Sequence, residues 1–171
     1  MNKWPYTTSL TLMILTPLVA LFALGLDLFI PIVTDLAKSL DTTPASLQFT
    51  LSIYMFCCAV AQLAIGPLSD YFGRRYIAIC SLYLFIFGSL IALYSSSIQL
   101  LTLARIVQAI GASGTYLSAY ATVRDVYPKE EDSAEIYSYI NVCISISPIF
   151  APVFGGYISQ VFGLKSVFFI M

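Results

Sequence analysis

Long apolar runs separated by short polar segments dominate the sequence. Five runs of 18 or more residues carry almost no charge, and a sixth begins near Lys165 and continues to Met171. Their approximate bounds, numbered here as spans one to six, are 10–33, 45–68, 77–94, 98–123, 136–161 and 165–171. About 20 residues at a rise of 1.5 Å cross a hydrocarbon core, so each complete run predicts a membrane-spanning helix. The predicted fold is therefore an all-α membrane protein.

The composition agrees with lipid as the main solvent. Of the 171 residues, 59% are hydrophobic and only 10% are charged, whereas a soluble domain carries about 25% charged residues. The net charge of −1 offers no basic surface for nucleic acid. There is no histidine, the four cysteines have no metal-like or disulfide spacing, and no phosphate loop or nucleophile–base pattern occurs. We expect a protein that is not an enzyme and has no cofactor or metal.

The basic residues predict the orientation in the membrane. Lys38 and Lys165 lie at one set of span ends, and five cations lie at the other: Lys3, Arg74, Arg75, Arg124 and Lys129. The positive-inside rule places the set of five in the cytoplasm. Span one is too long for a signal-peptide core, so we interpret it as a retained helix. These patterns predict a multi-pass protein of the inner (plasma) membrane with a cytoplasmic N-terminus.

A short charged segment, "GPLSDYFGRR" at 66–75, connects the apolar spans two and three. Gly66 permits close helix approach and Gly73 permits a backbone reversal, so we expect a tight cytoplasmic loop. Asp70 is suited to cap a helix or to pair with a cation, and Arg74 and Arg75 anchor the loop at the interface. We expect Asp70 to contact the end of span four, near Arg124 and Asp125. The alternative is a generic basic anchor.

This segment resembles the loop between the second and third helices of the major facilitator superfamily. Residues 101–114, "LTLARIVQAIGASG", are similar to the fourth-helix motif of proton-coupled members, with three matching positions: Arg105, Gln108 and Gly111. Residues 147–158, "SPIFAPVFGGYI", are similar to the fifth-helix motif of drug/proton antiporters, in which three positions match and Ser147 replaces a glycine: Pro152, Gly155 and Gly156. Pro148 and Pro152 also favour a bend, and the alternative there is a merely well-packed, kinked helix.

Further segments narrow the resemblance to the bicyclomycin resistance and multidrug efflux branch: "LDLFIPIVTDL" at 26–36, "QLAIGPLSD" at 62–70 and "VRDVYP" at 123–128. The resemblance implies the N-terminal six-helix half of a twelve-helix antiporter, which exchanges protons for small apolar substrates. It also implies a missing C-terminal six-helix half as partner, within the lipid bilayer. The alternatives are a non-transporting membrane fragment that needs a separate half, and half of an uptake symporter of the same superfamily.

Two ionisable residues lie inside predicted spans, Asp27 in span one and Arg105 in span four. Such residues are costly in hydrocarbon and mark ion or substrate pathways. We predict that they pair in the outer third of the membrane, with Asp27 as the proton carrier and Arg105 as its fixed partner. A static ion pair is the alternative. Tyr54 and Tyr116 are candidates to line an adjoining cavity, and packing roles fit them equally well.

Overall fold

The computed structural model describes residues 7–127 and 130–171, without the side chains of residues 130–132. Lys3 and Lys129, which contribute to the predicted orientation, lie outside the described residues. The described chain contains no strand and forms seven α-helices and one short 3₁₀ turn. The helices are α1 (Thr8–Asp27), α2 (Val33–Ser39), α3 (Pro44–Phe72), α4 (Arg74–Leu93), α5 (Ile98–Val126), α6 (Glu130–Phe162) and α7 (Ser166–Ile170). The all-α fold is confirmed.

Span one is interrupted directly after Asp27. Pro31 has no backbone N–H, so it cannot donate the helical hydrogen bond to the Asp27 carbonyl. The chain instead passes through a 3₁₀ turn at Ile30–Ile32 before α2 begins. Asp27 consequently lies at the last position of α1, beside a break inside the membrane-spanning segment.

The junction between α3 and α4 is much shorter than the predicted loop. Residues 66–72 belong to α3, and α4 begins at Arg74, so Gly73 alone separates the two helices. Gly73 has a φ of 94°, a left-handed value that glycine adopts without a steric cost, and this single residue turns the chain. The prediction of a loop over the whole motif is wrong for this reason. A Cβ at Gly66 would meet only Leu117, at 3.9 Å, so close approach is not what requires glycine there.

α5 is the central helix of the bundle and packs against α1, α3 and α4. Its contact with α4 is close, because a Cβ at Gly111 would lie 2.5 Å from the backbone nitrogen of Phe85. Four described stretches are long and apolar enough to cross a membrane, and α5 is not among them: Thr8–Ser39, Pro44–Phe72, Arg74–Leu93 and Ser133–Phe162. With 29 residues α5 is long enough, but it faces protein rather than lipid. A helix shielded in this way can carry polar side chains, which explains its lower hydropathy.

Candidate functional site

A largely apolar cavity of about 290 Å³ lies beside the break in the first membrane-spanning segment. Asp27 contributes to it from α1, Tyr54 and Gln62 from α3, and Ile144 and Pro148 from α6. The Asp27 side chain is buried, since the residue is only 7% exposed. The structure therefore places one carboxylate at the wall of a mostly apolar cavity formed by three helices.

Asp27 accepts a hydrogen bond from α6 rather than forming an ion pair. The Ser147 hydroxyl donates to Asp27 Oδ2 over 2.9 Å. Among the described residues there is no ion pair between Asp27 and Arg105, so the predicted mutual pair is wrong. The physical reason is that Arg105 points to two aromatic rings and an amide, which take the place of the carboxylate.

Arg105 is fully buried in the centre of the bundle. Its Nη1 donates to Gln108 Oε1 over 3.0 Å, and Gln108 Nε2 in turn donates to Ser89 Oγ over 2.7 Å. The guanidinium carbon lies 4.5 Å from the ring centroid of Phe29 and 4.3 Å from that of Tyr54, within the range of cation–π attraction. Nε and Nη2 have no hydrogen-bond partner among the residues that the structure describes. The positive charge is thus stabilised by neutral groups.

Tyr54 connects the arginine to α1. Its hydroxyl donates to the Phe22 carbonyl over 3.3 Å, and a Cβ at Gly25 would lie 2.5 Å from the same hydroxyl oxygen. Glycine at position 25 is therefore needed for Tyr54 to reach α1 above Arg105. Tyr54 lies between the helices that carry Asp27 and Arg105, and it also lines the cavity.

Tyr116, the other cavity candidate, is not among the residues that line this cavity. Its ring centroid is 5.0 Å from that of Phe22 and 4.6 Å from that of Tyr120, which stacks on Tyr137 at 5.3 Å. This aromatic row joins α1, α5 and α6. The described contacts of Tyr116 are therefore those of a packing residue.

A second group of charges lies at the α3–α4 junction. Arg74 forms ion pairs with Asp70 and, from Nε to Oδ2 over 2.9 Å, with Asp125 at the end of α5. The predicted contact between Asp70 and Arg124 is replaced by this arrangement, because Arg74 lies between the two carboxylates. Within the described part of the chain, the one ion pair of Arg124 is with its neighbour Asp125, at 3.9 Å, and Arg75 is exposed. The junction is therefore tied to α5 through Arg74.

α6 crosses the break in span one at a glycine. A Cβ at Gly155 would lie 2.9 Å from the carbonyl oxygen of Leu28, whereas one at Gly156 would find Pro31 no closer than 4.0 Å. Pro148 and Pro152 both lie inside α6. Close approach thus requires glycine at 155 and not at 156.

Three contacts of this site are absent from the sequence prediction: the Ser147 bond to Asp27, the Phe29 ring over Arg105, and the Ser89 bond to Gln108. Each joins residues far apart in the chain, and only the small size of Ser147 was visible in the sequence pattern. Among the side chains that the structure describes, no group of three His, Cys, Asp or Glu residues is placed to hold a metal ion.

Comparison with known proteins gives a consistent picture. The family model described as "Major Facilitator Superfamily" matches residues 15–171. A chloramphenicol resistance protein of Pseudomonas aeruginosa is 33% identical over 97% of this chain and 40% of its own length. The multidrug resistance protein MdtL of Shewanella sp. (strain ANA-3) is 34% identical over 90% of this chain and 39% of its own length. The chain thus spans about two fifths of the length of these curated relatives.

Proposed function

Because the chain belongs to the Major Facilitator Superfamily, we propose that it forms the N-terminal half of a proton-coupled exporter of small, largely apolar compounds. The family is one of multi-pass membrane transporters rather than enzymes. The names of the relatives, which refer to chloramphenicol and multidrug resistance, support export of drug-like compounds. In this proposal a second six-helix half completes the substrate cavity, and alternating access is the rocking of one half against the other.

The observation that carries the proposal is the buried Asp27 at the wall of an apolar cavity. An ionisable side chain within a membrane-spanning segment is costly, and such residues line ion or substrate pathways. Asp27 has no cation in direct contact among the described residues. A carboxylate without a paired cation can take up a proton without breaking an ion pair, which suits a proton carrier.

In this mechanism Asp27 binds a proton on one side of the membrane and releases it on the other. Arg105 keeps its charge, because a guanidinium is not deprotonated under ordinary conditions, and provides a fixed positive field behind the Tyr54 ring. The apolar walls of the cavity hold the compound. Movement of α6 against the break in span one changes the surroundings of Asp27, and this change couples proton release to substrate movement.

The proposed orientation puts the N-terminus and the Arg74 junction in the cytoplasm, as the distribution of basic residues favours. Tyr71 is 84% exposed beside this junction, so a cysteine there is suited to labelling. We expect a membrane-impermeant thiol reagent to label Tyr71→Cys in inverted vesicles and not from outside intact cells. Each measurement is made in a background without Cys57, Cys58, Cys80 and Cys143. Labelling from outside intact cells would reverse the orientation.

Transport itself is tested by joining residues 1–171 to the C-terminal half of the chloramphenicol resistance protein of Pseudomonas aeruginosa. We expect the fusion to raise chloramphenicol resistance in an efflux-deficient host, and each half alone to give none. A fusion that inserts in the membrane but gives no resistance would contradict the proposal. Resistance from residues 1–171 without any other half would instead indicate that the chain assembles with itself.

A further inference from the structure

Four serines of α6 form two different kinds of hydrogen bond. Ser138, Ser145 and Ser159 each donate to a carbonyl of their own helix, over 2.8 Å in every case. Ser147 instead donates across to Asp27 on α1. Bonds within a helix are the ordinary choice for serine in a membrane helix, so Ser147 is the exception among these four serines.

The local structure explains how Ser147 reaches the carboxylate. α1 ends at Asp27, and Gly155 allows α6 to pack against the Leu28 carbonyl immediately after it. Pro148, the neighbour of Ser147, lines the same cavity as Asp27. The hydroxyl is therefore held between two helices, at the edge of the cavity and at the last residue of a broken helix.

We propose that Ser147 is the positioning residue of the Asp27 carboxylate and, by donating to its ionised form, sets the pH at which Asp27 takes up a proton. This inference rests on the proposed role of Asp27 as proton carrier. A hydrogen bond to the charged form of an acid favours that form over the protonated one. Loss of the hydroxyl therefore moves proton uptake to higher pH.

The other ionisable groups on this side of the bundle come from two helices. α3 contributes Tyr54 and Cys58 to the cavity, and α5 contributes Arg105 behind the Tyr54 ring. The 3₁₀ turn at Ile30–Ile32 has no ionisable side chain, and the α6 residues that line the cavity are Ile144 and Pro148. Substitution of Ser147 leaves all of these groups in place, so the change in titration measures the hydroxyl.

The test follows the protonation of Asp27 directly. The full chain, residues 1–171, is reconstituted in phosphatidylcholine vesicles, and infrared spectra record the carbonyl stretch of protonated carboxylic acids as a function of pH. The band that disappears in Asp27→Asn belongs to Asp27. We expect Ser147→Ala to raise the pH midpoint of that band by about one to two units, since hydrogen bonds to charged groups are worth about 1.5–3 kcal/mol and one pH unit about 1.4 kcal/mol.

Two controls make the result specific. Ser147→Thr keeps the hydroxyl and can still donate to Asp27. The pH midpoint should therefore stay within about half a unit of the original value. Ser145→Ala removes a hydroxyl that donates to the Asn141 carbonyl of the same helix, and should not move the midpoint. An unchanged midpoint in Ser147→Ala would overturn the inference, as would equal shifts in Ser147→Ala and Ser145→Ala.

A further variant covers the case in which Ser147→Ala does not fold. Ser147→Gly restores the glycine of the fifth-helix motif that this segment resembles, and it should show the same upward shift. A Ser147→Gly protein with the original midpoint would overturn the inference. The measurement needs no transport, so its failure is distinct from failure of the resistance assay with the fused halves.

Discussion

Two charged sites of the chain, the α3–α4 junction and the bundle interior, stabilise their charges in opposite ways. At the α3–α4 junction, Arg74 contacts two partly exposed carboxylates directly. In the bundle interior, Asp27 and Arg105 are both buried, and each is met by neutral groups. Exposed ion pairs cost little to form and contribute little, whereas buried charges depend strongly on every partner. The comparison indicates that the junction is a structural tie and that the interior site is where substitutions should matter most.

The largest effect is expected at Arg105. Arg105→Lys keeps the charge but loses the planar group that packs on Phe29 and Tyr54. Each cation–π contact is worth about 0.5–2 kcal/mol, so the free energy of unfolding should fall by roughly 1–4 kcal/mol. Unfolding in mixed detergent micelles measures this change. Arg75→Lys, at an exposed arginine, is the control, and equal losses in the two variants would contradict the assigned contacts.

The next effect is expected at Gly25. In Gly25→Ala the new methyl group would meet the Tyr54 hydroxyl, so the ring must shift from its place above Arg105. Overpacking of this kind costs about 1–3 kcal/mol of unfolding free energy. The same unfolding assay tests it, with Gly156→Ala as a matched control because the nearest atom there is 4.0 Å from the new Cβ. An unchanged free energy of unfolding in Gly25→Ala would mean that Tyr54 is not held against α1.

The smallest effect is expected at the junction. Arg74→Ala removes both ion pairs, each worth about 0.2–1 kcal/mol when exposed. The resulting loss of unfolding free energy should become smaller as the salt concentration is raised from about 0.05 M to 1 M, because screening weakens exposed ion pairs. Arg75→Ala, which removes no ion pair among the described residues, should be neutral at every salt concentration. A larger loss of unfolding free energy in Arg74→Ala than in Arg105→Lys would contradict the comparison of the two sites.

The sequence predicts the helical fold well because hydropathy reports directly on lipid contact. It overestimates the number of strongly apolar spans because α5 faces protein, and its buried polar residues, such as Ser113 and Ser118, lower its hydropathy. The turn at Gly73 lies within the predicted loop segment. The sequence did not show that this single residue is enough to separate α3 from α4. Pro31 accounts for the break in span one, and Gly73 separates α3 from α4. The hydropathy pattern places Pro31 inside an unbroken apolar run and so does not predict the break.

Side-chain partners were predicted less well than elements. Opposite charge suggested the pairs Asp27–Arg105 and Asp70–Arg124, and both assignments are replaced in the structure. For Asp27 and Arg105, a hydroxyl and two aromatic rings take the places of the expected ions, whereas Asp70 pairs with Arg74 instead of Arg124. Neutral partners of this kind have no distinctive sequence pattern, because serine and phenylalanine occur throughout the spans for packing alone.

Drug-driven proton movement in vesicles tests the central claim, that Asp27 carries the proton, most directly. The fusion of residues 1–171 with the C-terminal half of the chloramphenicol resistance protein is reconstituted, and proton release on addition of chloramphenicol is recorded. Asp27→Asn should abolish this release while leaving membrane insertion intact. Asp35→Asn, at an exposed aspartate that pairs with Lys38, should leave it unchanged. Proton release that survives in Asp27→Asn would contradict the account and make Asp27 a structural residue.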